Sequence, residues 1–361
     1  MDSKAAVLTD ARTLEIQHFE TPEIGPDEGL VEIEACGVCG SDYLTYRGRE
    51  DLDFFEYPAI LGHEPVGRIE TIGDEAREKW GVEEGDRVAI EPMAACGVCK
   101  WCTEGQRTVC PTRLTYGHTT TSVAPGLWGG YAEYMYLHPD TVLHRLPEDM
   151  SSEDATLFNP LGSGFEWGEP ATEYGDTVLV LGPGQRGLAC VIACREAGAE
   201  TIIVTGLNRD AKKLDLARTF GATHTVSVEA EDTVDRVDEI TDGDGADVVI
   251  DTTPVPGPIG DGIEAIKPGG TLVLAGTKAG EPLSEFYSDE IVHKAVTIEG
   301  MFGVGYDAFE KAIAVIESGD YPLGKMHTHA FTIDDVERCL RILGGEIEDE
   351  VVIHSTIIPN H

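Results

Sequence analysis

Cys96, Cys99, Cys102 and Cys110 stand close together in the stretch CGVCKWCTEGQRTVC. Four thiolates at this spacing can close a tetrahedron around one zinc ion, with bonds of about 2.3 Å and no position left for a substrate. The reading is a structural zinc lobe covering about residues 91–112. Upstream, ACGVCGSD contributes Cys36, Cys39, Ser41 and Asp42, and LGHEPVG contributes His63 and Glu64. One thiolate, one imidazole and one carboxylate can instead form a zinc site with an open position, the arrangement that acidifies a bound hydroxyl. Cys36 and Cys39 also have the spacing of a redox pair, but nothing around them resembles a thioredoxin-like unit. A lone Gly-His-Glu is more often a loop with a satisfied histidine than a ligand pair. Its occurrence ahead of the four-cysteine stretch makes it a ligand candidate.

A second kind of chemistry is written in DTVLVLGPGQRG, where a short apolar run, Thr177 to Leu181, leads into Gly182, Gly184 and Gly187. The apolar helical stretch LACVIACREAG follows, so the glycines lie between a strand and a helix, the context a dinucleotide turn requires. They allow a tight turn and a close approach of pyrophosphate to the helix N-terminus. Arg186 within the turn is a candidate charged contact or a solvent-facing side chain. After the next apolar run, TIIVT, NAD sites usually carry an acid that bonds the ribose hydroxyls. Here Gly206, Asn208 and Arg209 occupy that stretch, with Lys212 and Lys213 nearby. A guanidinium in place of a carboxylate favours NADP over NAD. The alternative is that Arg209 is an ordinary surface residue and Asp210 serves as the acid from a shifted register. Cys190 and Cys194, one helical turn apart, read as core residues.

The elements that must position these residues divide in two. A chain of 361 residues exceeds the usual single core. ADVVID and TLVLAG read as buried strands with GIEAIKPGG as helix and turn between them, so the middle of the chain alternates strand and helix. That pattern predicts a doubly wound parallel sheet. VTIEGMFGVG is expected to return the chain to the first domain, and AFTIDDVERCLRILGG reads as a helix with its lead-in, Cys339 packing inside it. His327 and His329 in MHTHAF lack further ligands and receive no metal role. The expected boundaries are 1–160, 161–302 and 303–361.

No apolar run approaches the length of a membrane span, and MDSKAAVLTD has no basic-then-apolar signal pattern, so a soluble cytoplasmic protein is expected. Lysine and arginine total 26 against 66 acids, a formal net charge of −40. The acids are dispersed along the chain and form no single tail. Such a surface is a poor partner for nucleic acid or anionic membranes. It points to a halophilic protein from a salt-rich cytoplasm, because self-repulsion of this size needs dense counterions.

Taken together, the cysteine and Gly-His-Glu motifs, the four-cysteine lobe, the dinucleotide turn and KPGG resemble the zinc-containing medium-chain dehydrogenases, nearly end to end. That family includes alcohol, polyol, threonine and glucose dehydrogenases. The resemblance implies an α/β fold, with a GroES-like β-rich catalytic domain built from both chain ends around a Rossmann cofactor domain, and a homodimer or homotetramer. Carried over by residue, it implies Cys39 and His63 as catalytic zinc ligands, Glu64 as a carboxylate that is a direct ligand in some members, Ser41 as the hydroxyl passing the substrate proton onward, and Asp42 behind the ligands. The implied reaction is hydride transfer between nicotinamide and a secondary alcohol, polyol or sugar, with zinc lowering the pKa of the hydroxyl.

Asn159 in LFNPLG departs from the family, where sorbitol- and threonine-type enzymes carry an acid before PL or PF. Its neutral carbonyl is a weaker ligand than a carboxylate, and Asn-Pro also reads as a helix cap followed by proline at the first helical position. Leu44 stands where threonine-type enzymes have histidine, which lowers the threonine reading. YLTYRGRE, from Tyr43 to Glu50, is a candidate pocket stretch. The alternatives are a zinc-less NADPH-dependent reductase of activated double bonds, or a nucleotide-sensing protein without catalysis. The set of Cys39, Ser41, Asp42, His63 and Glu64 argues against both.

The charge reading is open to a direct test. Dilution from molar potassium chloride, where the Debye length is about 3 Å, into low salt should unfold the protein. A circular-dichroism signal that persists at low salt removes the salt-adaptation reading.

Overall fold

The computed structural model describes residues 1–48, 55–283, 286–347 and 350–359. Arg49 and Glu50, the end of the candidate pocket stretch, lie outside the described residues. The chain forms two compact units, one of Met1–Asn159 with Ile313–His361, the other of Pro160–Ala312.

The first unit is built on antiparallel pairing. Gly29–Gly37, whose side chains are mostly buried, pairs with Glu64–Ile72, with Tyr134–Leu137, and with His354–Ile357 from the end of the chain. Arg87–Ile90 and Leu143–Arg145 extend one side of this sheet and His327–Phe331 the other. Asp2–Asp10 pairs with Thr13–Glu20 and with Ala59–Ile60 in a second sheet. A core containing Leu30, Val31, Ile33, Ile69, Trp128 and Leu340 lies against these strands. The register that matters most is the last pair of the central ladder, Gly37 opposite Glu64. One strand leaves it for Val38 and Cys39, and the other enters it from His63. A β-carbon on Gly37 would collide with the Glu64 carboxylate, so any larger residue would displace that carboxylate from its present place.

The second unit has six parallel strands in the order His224–Ser227, Thr201–Gly206, Thr177–Leu181, Ala246–Asp251, Ile266–Leu274, Thr297–Gly300. The three central strands Thr201–Gly206, Thr177–Leu181 and Ala246–Asp251 are runs of valine, isoleucine and leucine, the composition of strands buried on both faces, while the edge strand Thr297–Gly300 is exposed. Strand order reverses between Thr177–Leu181 and its neighbour Ala246–Asp251. The crevice at their carboxyl ends is where such sheets take ligands. Three details differ from the sequence reading. The chain, expected to return to the first unit after residue 302, crosses later, within the helix Tyr306–Ser318, and Thr297–Gly300 of VTIEGMFGVG is the sixth strand of this sheet. A short apolar run carries no mark telling an edge strand from a linker, which is why this was not visible beforehand. KPGG is an interruption inside the strand Ile266–Leu274, with Gly269 at φ +80° and a register shift against Ala246–Asp251. Asn159 is the second residue of the helix Phe158–Gly168 and so is not its cap. Pro160 is tolerated there because N–H groups in the first turn have no intrahelical acceptor.

Glu34 joins several segments of the first unit. Its carboxylate accepts from Arg87 Nη2 at 2.6 Å, Ser152 Oγ at 2.9 Å and Arg68 Nε at 2.9 Å. Arg87, 3% exposed in its side chain, also donates to the carbonyls of Pro147 and Met150. Burial pushes the Glu34 carboxyl up, but Arg87 and Ser152 outweigh it and hold it below the usual carboxylate range. A depressed carboxyl stabilises the fold above its unfolded-state pKa, and that contribution is lost as pH falls through the lower folded value. Glu34→Gln should therefore cost roughly 1–3 kcal/mol near neutral pH, the range being reduced because the pair is partly exposed. Denaturation curves of parent and variant should converge in acid. A gap that persists at acid pH would show that the charge is not what stabilises this junction.

Candidate active site

Cys39, His63 and Glu64 come together in the first unit, their ligand atoms all within 4.8 Å of one another and all three residues buried. Cys39 is the N-cap of the helix Gly40–Tyr46 at φ −98° and ψ 153°. Asp42, three residues on, reaches back to accept the Cys39 N–H at 2.9 Å, one arm of a capping box. The same carboxylate is fully buried and accepts from His63 Nδ1 at 3.2 Å and from Tyr131 Oη at 3.0 Å. An ionised carboxylate only accepts, so Nδ1 of His63 carries the proton and Nε2 is left as the donor atom for a metal. Nε2 lies 3.9 Å from Glu64 Oε1.

Burial pushes Asp42 up, but His63 and the Cys39 N–H outweigh it and hold the carboxyl below its usual range. Burial, together with Asp42 and Cys36, pushes the Tyr131 hydroxyl well above its ordinary value and keeps it a donor. Tyr131 was missed by sequence reasoning. Its one signal was Gly62, at φ +89°, where a β-carbon would fall 2.5 Å from the Tyr131 ring. His118, whose ring centroid is 5.7 Å from that of His63, was also missed.

Ser41 is the second residue of the Gly40–Tyr46 helix and is partly exposed, while Asn159 is buried at 1% exposure. Cys36 is outside the ligand group; its thiol, pushed well up chiefly by burial, donates to the Gly37 carbonyl. Cys339 packs in the core beside Ser355. His327 bonds Asp154 and His354, and His329 pairs with Glu350.

The four-cysteine stretch folds between the strands Met93–Ala94 and Leu114–Thr115. Its sulfurs are separated by 3.5 Å (Cys99 to Cys102), 3.6 Å (Cys110 to Cys96), 3.9 Å (Cys99 to Cys110) and 4.0 Å (Cys96 to Cys102). Zinc–sulfur bonds of about 2.3 Å in a tetrahedron give edges of about 3.8 Å. The donors fit a closed zinc site.

In the second unit, Gly182 (φ +96°) turns the chain out of Thr177–Leu181, and Gly184 caps the helix Gln185–Ala197. A β-carbon on Gly187 would collide with the Gly182 carbonyl, so this glycine sets the close packing of helix and strand. A β-carbon on Gly184 would meet no described atom within 4 Å, which leaves its backbone approachable. Thr252 braces the turn by donating to the Leu181 and Gly182 carbonyls. Arg186 donates to Ser163 Oγ and lies over the Trp167 ring, 5.4 Å from its centroid. Cys190 and Cys194 are buried in the helix that follows. Gly206 ends the strand Thr201–Gly206, and Asn208 and Arg209 are exposed just beyond it. Asp210 is occupied by Lys213 at 2.9 Å and the Leu207 N–H at 3.2 Å.

Asp42→Asn removes the anion that fixes the His63 tautomer. Partners of this kind are worth about 10–100-fold in metal affinity. The variant should lose zinc from the Cys39 set at chelator concentrations that leave the four-cysteine zinc in place. Equal zinc retention by parent and variant counts against this role for Asp42.

Comparison with known proteins agrees with both units. The alcohol dehydrogenase GroES-like domain model matches residues 25–148, and the zinc-binding dehydrogenase model matches residues 187–318. The chain is 41% identical to the "Probable alcohol dehydrogenase adh" of Mycobacterium tuberculosis, over 99% of this chain and 98% of that one. It is 31% identical to a sorbitol dehydrogenase of Bacillus subtilis over 94% of each. An alcohol dehydrogenase from Thermotoga maritima superposes with a TM-score of 0.89 at 27% identity, all of both chains covered. A Sinorhizobium meliloti protein bound to NADP gives 0.87 at 26% identity, over 99% of this chain and 100% of that one. With its GroES-like unit, its Rossmann-like sheet and both cysteine motifs, the chain belongs to the zinc-containing medium-chain dehydrogenase family.

Proposed function

We propose that this chain is a zinc-dependent dehydrogenase that transfers hydride between NADP, in preference to NAD, and a secondary alcohol, polyol or sugar. The observation that carries this reading is the convergence of Cys39, His63 and Glu64 within 4.8 Å, with buried Asp42 aligning His63. Zinc, when bound, would acidify the substrate hydroxyl, and nicotinamide would accept or return the hydride.

The chain's own residues supply the rest. Cys39 and Glu64 bring two negative charges that offset those of the metal, and Asn159 is assigned beside them as a neutral carboxamide. Ser41, at the mouth of the Gly40–Tyr46 helix, takes the proton from the substrate hydroxyl and passes it to solvent. Asp42 keeps His63 oriented and stays ionised. Gly182, Gly184 and Gly187 admit the pyrophosphate, with Arg186 behind the turn. Gly206, Asn208 and Arg209 receive the adenosine ribose. Both oxygens of Asp210 are already engaged, which favours Arg209 reading a 2′-phosphate over Asp210 reading a 2′-hydroxyl. A structural neighbour bound to NADP is consistent with this choice, and a related sorbitol dehydrogenase with a polyol substrate. Among the described residues no helix is long and apolar enough to cross a membrane, and the acidic surface suits a salt-loaded cytoplasm.

The test is zinc content on protein purified without added metal, followed by a screen of secondary alcohols, polyols and sugars with NADP. Two zinc ions per chain and substrate-dependent NADPH formation are expected. One zinc that stays one after added metal, with no turnover, would overturn the proposal.

A further inference from the structure

The loop after the strand Thr201–Gly206 lacks the usual acid between Gly206 and Arg209, yet a carboxylate reaches it from the turn after the neighbouring strand. Glu229 follows His224–Ser227, which runs parallel to Thr201–Gly206 with Ser227 opposite Gly206. The Val228 N–H donates to the Gly206 carbonyl at 3.0 Å, which carries the pairing one residue further. Glu229 Oε2 then accepts the Asn208 backbone N–H at 2.6 Å, and Ser227 Oγ donates to Asn208 Oδ1 at 2.6 Å. Asn208, Arg209 and Glu229 are all exposed, so an incoming ribose meets an acid and a base on one short loop. Asp210, the other nearby acid, is held by Lys213 and the Leu207 N–H.

We propose that Glu229 is a cofactor-discriminating residue set against Arg209. Its carboxylate accepts a hydrogen bond from the 2′-hydroxyl of NAD. It repels the 2′-phosphate of NADP, which must also displace it from the Asn208 N–H. Arg209 offsets that repulsion, and the pair gives the chain working access to both cofactors. This rests on reading Gly206–Arg209 as the loop that meets the 2′ position. Two unit charges 4 Å apart in water change an equilibrium about fivefold, and a phosphate carries nearly two charges, so removing Glu229 is worth up to about 25-fold to NADP, which salt screening lowers to roughly tenfold.

Steady-state kinetics with each cofactor test this on the parent, Glu229→Gln and Arg209→Ala, at the lowest potassium chloride concentration that keeps the protein folded. Glu229→Gln should raise the NADP-over-NAD ratio of kcat/KM roughly tenfold, with KM falling for NADP and rising for NAD. A merely structural role for the Glu229 bond would shift both KM values in the same direction, and that result overturns the proposal. An unchanged ratio overturns it too. Arg209→Ala separates the two readings. If that variant affects both cofactors equally while Glu229→Gln still shifts the ratio, the NADP assignment to Arg209 fails and Glu229 stands. If Arg209→Ala is selective and Glu229→Gln is silent, the NADP reading stands and Glu229 is only a loop contact.

Discussion

The antiparallel register that sets Gly37 opposite Glu64 is the constraint from which the convergence of Cys39, His63 and Glu64 follows. Cys39 lies two residues past the end of one strand, and His63 lies one residue before the other. Pairing the strands at that point brings together a thiolate and an imidazole that are 24 residues apart in the chain. A slip of one residue would turn every side chain to the opposite face of the sheet and separate the donors. Gly37 makes the register compatible with the Glu64 carboxylate, and Gly62 makes room for the Tyr131 ring. Two glycines are thus as much part of this cluster as Cys39, His63 and Glu64 themselves.

Asp42 shows how such a site holds a charge inside the protein. A buried carboxylate without partners is costly enough to take up a proton instead. Here three donors surround it: the Cys39 N–H, His63 Nδ1 and Tyr131 Oη. Each bond also does local work, since the first caps a helix, the second orients the imidazole and the third pins an aromatic ring in the core. Because the donors come from three separate stretches, any shift among them is felt at the His63 ring. Glu34 follows the same rule nearer the surface, where two guanidinium groups and a hydroxyl replace the lost water.

The parallel unit solves a different problem, that of bringing backbone close to an anion. Gly187 lets the helix Gln185–Ala197 pack against the turn at Gly182, and Thr252 closes the turn from the next strand across the switch point. Asp210 is tied to Lys213, and Glu229 to a backbone N–H, in a chain whose acids outnumber its lysines and arginines by 66 to 26. With so few cations, the position of each one counts for recognition of an anionic cofactor.

Much of this was legible in the sequence, because short-range rules govern it. The four-cysteine lobe, the glycine turn and the run of Thr177–Leu181 into a helix depend on spacing within about fifteen residues, where chain geometry leaves few alternatives. The net charge and its dispersal are composition and need no fold. What the sequence alone determined was therefore the chemistry available and the two kinds of unit. Tertiary structure decided the partners. Tyr131 reaching Asp42 from 89 residues away, Glu229 reaching Asn208 from the next strand, and Arg186 lying over Trp167 all depend on strand register and helix packing. Thr297–Gly300 became an edge strand, and Asn159 a helical residue, for the same reason. A side chain's type is local, but what it faces is set by contacts between distant segments, and no spacing rule encodes them.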